Sequence, residues 1–357
     1  MVLISLGPRR QTACRHHLRM ASLLYHKAMG TIPEVPVRSR RWLLAAAAGG
    51  VVLGWSGCAR QRTLVEGRLD AVWGRPGSSP GRLFRPRAIT IGPDDLVYIV
   101  DMTPRIQVFT PDGRLVRHWQ PPQHAQGRPS GLAFDNAGRL MVCDTHYYRV
   151  LFYTPQGQLL EAATLGGVCG GGDGEFQFVT DAAQDRWGHY YVAQYGEYDR
   201  IQKFSPEGKF LLSLGEHGQA LGQFLRPQKL VVDHAGLVWV ADACNHRVQV
   251  FDARQAPVRL ARWWGTPGEQ LGQLRYPYDI LLDEAALAGS DEGAVYLCEF
   301  GNHRVQKFTL DGRWLGSFGR GGRGPGQLDQ PWGIARDRQG RMYVLDTYNH
   351  RVQRFWL

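Results

Sequence analysis

The sequence predicts an all-β protein, a six-bladed β-propeller of four-stranded antiparallel blades, and three observations predict it. The motif Arg-(Val/Ile)-x-x-(Phe/Tyr) occurs six times, as RIQVF at Arg105, RVLFY at Arg149, RIQKF at Arg200, RVQVF at Arg247, RVQKF at Arg304 and RVQRF at Arg351. The arginines follow one another at 44, 51, 47, 57 and 47 residues, a period that points to a repeat architecture. Finally, the last unit stops at RFWL without a fourth strand, while an orphan strand, GRLDAVWG (Gly67 to Gly74), precedes the first unit.

Each element of a unit has its own signal. A proline commonly opens it (RPRAI, RPSGL, RPQKL, YPYDI, QPWGI), and a short apolar strand leads to a turn such as DNAG, DRWG, DHAG or DRQG. The second strand is rich in Val, Tyr and Trp and often closes on an acid, as in VYIVD, LMVCD, VWVAD and MYVLD. A loop containing NHR or a variant of it precedes the motif strand. The turn after that strand (TPDG, TPQG, SPEG, TLDG) has glycine where a left-handed residue is needed, and a fourth strand follows. Four short antiparallel strands per unit make one propeller blade. The orphan GRLDAVWG matches GRWLGSFG (Gly312 to Gly319) in form, so the N-terminal strand is expected to complete the sixth blade and leave few exposed edges.

These units resemble NHL repeats, the tripeptide NHR standing where the family has its name-giving residues, and the resemblance spans about 290 residues. It implies a propeller that binds partners on its loop face. Some propellers of this general kind are enzymes. Peptide-amidating lyases with NHL-like propellers hold zinc through histidines at inner-strand mouths, and those columns contain no histidine here. Lactonase-type propellers hold a divalent cation with acidic and amide side chains, a role that Asp181, Asp279, Glu299 and Gln194 could mimic, although Lys229 between the acids would repel the ion. Tripartite-motif relatives bind RNA or transfer ubiquitin, but no Cys/His cluster of RING spacing is present here.

Charge bears on the partner. Of the formal +10, residues 1–57 contribute 8 basic and 1 acidic residues, leaving 34 and 31, a net of +3, for the remainder. The basicity belongs mostly to the leader, so nucleic acid is not an expected partner. That leader has an arginine pair (SRRWLL) before the apolar run WLLAAAAGGVVLGW, which is too short for a membrane span. It resembles a twin-arginine export signal. Ser56-Gly57-Cys58 resembles a bacterial lipoprotein cleavage site, which implies lipidation at Cys58, a membrane anchor and a cell-envelope location. Trp55 departs from that pattern, and an ordinary cleaved signal or an uncleaved anchor are the alternatives. Met29 is a second candidate start. The expected organisation is a leader over 1–57, a short tether over 58–66 and a monomeric propeller over 67–357. Cys143, Cys169, Cys244 and Cys298 show no CxxC spacing, so neither a zinc ribbon nor a redox motif is supported, and their disulfide state is left open.

Residues common to all blades serve what all blades require. His246, His303 and His350 therefore read as structural loop residues rather than a zinc site, since equivalent positions on successive blades lie too far apart for one ion. Function is expected where the blades differ. Aligned on the first turn, the innermost strands begin with Arg87, Ser130, Thr180, Gln228, Tyr278 and Trp332, and then with Ala88, Gly131, Asp181, Lys229, Asp279 and Gly333. Arg87, Asp181, Lys229, Asp279, Tyr278 and Trp332 are the channel candidates, joined by Gln194 and Glu299 where the acid closing the second strand changes. An ion-pair plug is the plainer reading of Asp181-Lys229-Asp279, and a ligand site the alternative. Tyr147, Tyr148, Tyr195 and Tyr198, in the loops of blades 2 and 3, are candidates for holding a protein partner or, as the second option, a glycan. The glycine-rich GGVCGGGDGEF is not a phosphate loop, because no GK[ST] follows it. No catalytic residue, cofactor or metal is assigned. A binding platform is favoured over an enzyme.

Overall fold

The structure, a computed structural model, describes residues 65–357 apart from 126, 290 and 291. The leader, Met29, Trp55 and Cys58 lie outside the described residues. Strand propensity and tight turns build six sheets. Blade 1 comprises Ala88–Ile91, Val97–Val100, Ile106–Phe109 and Leu115–Trp119, and blade 2 Gly131–Phe134, Leu140–Asp144, Arg149–Tyr153 and Leu165–Gly166. Blade 3 comprises Phe178–Gln184, Tyr190–Tyr195, Arg200–Phe204 and Phe210–Leu214, and blade 4 Pro227–Val232, Leu237–Asp242, Arg247–Asp252 and Arg259–Trp264. Blade 5 comprises Pro277–Leu282, Ala294–Glu299, Arg304–Thr309 and Trp314–Phe318. Blade 6 has Ile334–Arg336, Met342–Asp346 and Arg351–Trp356, with Arg68–Trp73 as its outer strand.

Closure is as the sequence predicts. Arg68–Trp73 pairs antiparallel with Arg351–Trp356, Arg68 opposite Trp356 and Trp73 opposite Val352. Pairing starts two residues earlier than Gly67, because Val65 and Glu66 lie parallel to Gly316 and Ser317 on the outer edge of blade 5. The chain crosses between the two blades at Gly67, where a Cβ would stand 2.7 Å from Phe318 Cβ. Phe318 and Phe355 stack at 3.9 Å across that seam. Arg354 ties the closing strand to both neighbours, donating to Asp70 and, at 2.9 Å, to Asp112 of blade 1.

The core lies between blades. Val, Ile, Leu and aromatic residues of the second and third strands are almost wholly buried in layers shared by adjacent sheets, such as Met141, Phe152 and Val192 between blades 2 and 3. Cys143 and Cys298 are buried free thiols within these layers, and Cys244 is also free. Innermost strands touch one another in chain order round the ring, with blade 6 meeting blade 1. A chain beginning at Gly74 should leave the Arg351–Trp356 edge unpaired. Thermal denaturation should show a lower midpoint and size exclusion should show self-association. A truncated chain that melts with the full-length protein and stays monomeric would make the closing strand dispensable.

Candidate functional site

Every blade has its second-to-third-strand loop and its entering inter-blade connector on one face. The repeated letters organise that face. In blade 4, Arg247 donates to Asp242 at 2.8 Å and to the connector carbonyls of Gln219, Ala220 and Gln223. Asp242 accepts the Leu225 N–H. The same set recurs at Arg304 with Glu299 and at Arg351 with Asp346. In blade 3 Gln194 stands in place of the acid, and Arg200 keeps the connector bonds, to the carbonyls of Gly172 and Glu175. Sequence reasoning missed the glutamine of the motif. Gln249 accepts the Gly222 N–H and donates to Gln223 O, and Gln107, Gln202, Gln306 and Gln353 repeat the pair of bonds in their blades. Leu151 takes that column in blade 2. The glycine-rich loop is one more such connector, its Cys169–Phe176 bridge equivalent to His217–Phe224 and Pro267–Leu274.

The three histidines are separated, as expected, and each latches the next blade. His246 Nδ1 accepts the N–H of Tyr276, His303 that of Gln330 and His350 that of Arg85. All three donors have a left-handed backbone, with φ of 50°, 47° and 48°. Burial and a neighbouring arginine hold His246 and His350 below the usual histidine range, which keeps Nδ1 an acceptor.

At the axis, Lys229 Nζ lies 2.9 Å from Asp181 Oδ1 and also donates to Leu132 O of blade 2. Gly131 leaves room for this approach, since a Cβ there would stand 2.9 Å from Asp181 Oδ1 and 2.4 Å from Thr180 O. Asp181 is fully buried and its other oxygen accepts the Leu230 N–H. Burial disfavours the Lys229 charge, but Asp181 and Asp279 outweigh it and hold the ammonium above the usual lysine range. Burial raises Asp279 to about 7 despite Lys229. Its Oδ2 accepts the Ile334 N–H, and its Oδ1 has no hydrogen-bond partner among the described residues. A divalent cation fits poorly among these groups, because it would face the ammonium. The other two acid or amide candidates are engaged elsewhere. Glu299 is bound by Arg304, Asn302, Gln306 and the Arg275 N–H, and Gln194 donates to Tyr198 O.

A feature absent from the sequence reading is a β-bulge near the start of the inner strand in blades 3, 4 and 5, at Thr180, Gln228 and Tyr278. The equivalent residues of blades 1, 2 and 6, Arg87, Ser130 and Trp332, donate in the same way to the carbonyls of Val100, Cys143 and Leu345, so the doubling recurs round the ring at the mouth of the channel. There Tyr278, Phe300 and Trp332 pack as a buried cluster, Tyr278 stacked on Phe300 at 4.6 Å and edge-on to Trp332 at 4.7 Å. Arg87 lies over Trp332 at 4.9 Å, and Arg226 over Tyr195 at 4.8 Å and Tyr278 at 5.9 Å. Tyr195 also stacks on Phe178. Tyr198 is 42% exposed and Tyr147 lies beneath Arg149, whereas Tyr148 packs against the core between blades 2 and 3.

The family model "NHL repeat" matches residues 224–251 and 328–355, which fall in blades 4 and 6. The chain is a six-bladed propeller that carries the NHL repeat in those two blades. Its relatives include human NHL repeat-containing protein 3, 26% identical over 305 residues that cover 71% of this chain and 86% of that one. Mouse peptidyl-glycine alpha-amidating monooxygenase is 25% identical over 218 residues, 59% of this chain but only 21% of its own length. Among solved structures, an auxiliary nutrient binding protein from Bacteroides ovatus superposes with a TM-score of 0.63 at 16% identity, over 81% of this chain and 76% of that one. At that identity the likeness speaks for the fold alone.

Two outcomes follow for the axial groups of this NHL propeller. Lys229→Met should cost about 3–5 kcal/mol in urea denaturation because it strands a buried carboxylate, while Lys229→Met combined with Asp181→Asn should recover most of the loss. Asp279 binds its proton more tightly folded than unfolded between 3.8 and about 7. Stability should therefore fall as pH rises through that window, and Asp279→Asn should flatten the slope.

Proposed function

We propose that this NHL propeller is an exported, lipid-anchored binding platform of the cell envelope, holding a protein partner or, as the second option, a glycan on its mouth face. The supporting observation is that Lys229 and Asp181 pair at the axis while Arg247, Arg304 and Arg351 tie the start of each third strand to the connector entering its blade on one face. That face is pinned by buried arginine, glutamine and acidic side chains, so a partner meets a preorganised surface. Tyr147, Tyr195 and Tyr198 lie on it beside arginines, a combination enriched in binding hot spots. The anchor through Cys58 rests on Ser56-Gly57-Cys58 and the arginine pair. The channel hydrolase or lyase reading has less support, because a cation would meet the Lys229 ammonium and Glu299 and Gln194 are engaged in loop contacts.

Pull-down from envelope extracts should recover a partner with the native chain, and recovery should drop by about tenfold or more when Tyr147, Tyr195 and Tyr198 are changed together to alanine. Unchanged recovery would count against the platform. Labelling with a radioactive or clickable fatty acid should depend on Cys58 and vanish in Cys58→Ser.

A further inference from the structure

We propose that Lys229 is the clasp that holds the mouth half of blade 2, and that removing it loosens this blade before any other. The inference goes beyond the platform reading and stands whether or not a partner binds the mouth. Blade 2 differs from its neighbours in every device that fixes a connector. The motif glutamine bonds an N–H and a carbonyl of the connector in the other five blades, and Leu151 stands in its place here. The motif arginine reaches connector carbonyls in those five blades, as Arg105 does at Ser78 and Arg82. Arg149 donates, among the described residues, to Asp144 alone. The acid closing the second strand accepts a connector N–H in blades 1, 4, 5 and 6, from Phe84, Leu225, Arg275 and Asp329. Asp144 accepts only from Arg149 among the described residues, and burial, opposed by that arginine alone, raises it to about 6.

The latches tell the same story. Asp199 replaces the latch histidine after blade 3 and accepts the Arg226 N–H, whereas the position before blade 2 is Pro104, which has no side-chain acceptor. The outer strand of blade 2 is two residues long, against five or six in the other blades, so the third strand is braced from outside over a short stretch only. What ties this half of the blade lies at the axis. Lys229 Nζ donates to Leu132 O at 3.2 Å while Asp181 of blade 3 holds the same ammonium at 2.9 Å. Ser130 Oγ donates to Val179 O of blade 3 at 3.0 Å and meets Thr145, which opens the loop that carries Tyr147. The opposite end of the blade has ties of its own, from Asn136 to Asp185 O and from Arg139 to Tyr190. Loss of the ammonium therefore acts on the mouth half, where one charge-assisted bond stands in for several missing ones.

Hydrogen exchange followed by mass spectrometry on the full chain reads this blade by blade. In the native chain, segments 127–134 and 144–150 should exchange about tenfold faster than their equivalents in blade 6, 329–336 and 346–352. Lys229→Met combined with Asp181→Asn removes the clasp without stranding a carboxylate. It should speed the blade 2 segments by about tenfold again and change those of blade 6 by less than about twofold. Gln249→Leu gives blade 4 the residue that blade 2 has, and should speed exchange of the connector over 216–226 by about tenfold. Equal native rates in blades 2 and 6, equal acceleration of both by the double variant, or a Gln249→Leu connector as protected as the native one would overturn the proposal.

Discussion

The fold depends on the way each third strand holds down the loop that enters its own blade. The amide of Gln249 donates and accepts at once, which is why glutamine rather than glutamate occupies this buried column. One side chain satisfies the Gly222 N–H and shares the Gln223 carbonyl with Arg247, which also donates to the carbonyls of Gln219 and Ala220. Such groups are costly to bury unless every bond is made, so the connector has one acceptable position. The histidine latches extend this register to the following blade. Because His246, His303 and His350 accept from left-handed residues at the threshold of the next inner strand, the start of that strand is fixed by the blade before it. Mouth geometry is therefore a property of the scaffold rather than of mobile loops.

Much of this was legible in the letters. The six-fold motif, the turn chemistry and the orphan strand specify six blades and their closure, and the structure pairs Arg68–Trp73 with Arg351–Trp356 as they require. Aligning the units also places Asp181 beside Lys229, because adjacent blades bring one column together at the axis. The partners of the glutamines and histidines were not legible. They are backbone groups 25 to 30 residues away for most, and a repeat shows which column matters without showing which loop it serves. The spacing GxxGxxxGQ in the connectors (GEHGQALGQ, GTPGEQLGQ) was the available signal. Glu299 and Gln194 look like channel residues because they interrupt a column of aspartates. They end the second strand, however, where the side chain turns to the loop, and Glu299 performs the aspartate's task with a longer stem.

The bulges were invisible for a different reason. One extra residue in an inner strand leaves composition and turn signals intact and shifts only the pairing. The doubling is common to the blades, since Arg87, Ser130 and Trp332 donate to Val100, Cys143 and Leu345 in blades 1, 2 and 6, whereas the length of regular pairing differs. Inner strands of blades 3, 4 and 5 run 7, 6 and 6 residues, against 3, 4 and 4 in blades 6, 1 and 2. The charged axial residues and the bulged positions Thr180, Gln228 and Tyr278 belong to the longer half, while Ala88, Gly131 and Gly333 belong to the shorter.

This asymmetry explains how one lysine can fill the axis. Lys229 starts from the charged half and reaches the Leu132 carbonyl of the other, a route that a side chain at position 131 would obstruct. An ammonium held by one carboxylate, one carbonyl and the field of a second acid leaves little reason for a cation to enter, and the ring cluster of Tyr278, Phe300 and Trp332 lies over the mouth. Blade-to-blade variation is thereby turned outward. Residues that differ between blades, such as Arg87, Tyr278 and Trp332, end up at the mouth, beside the repeated side chains that hold the ring together.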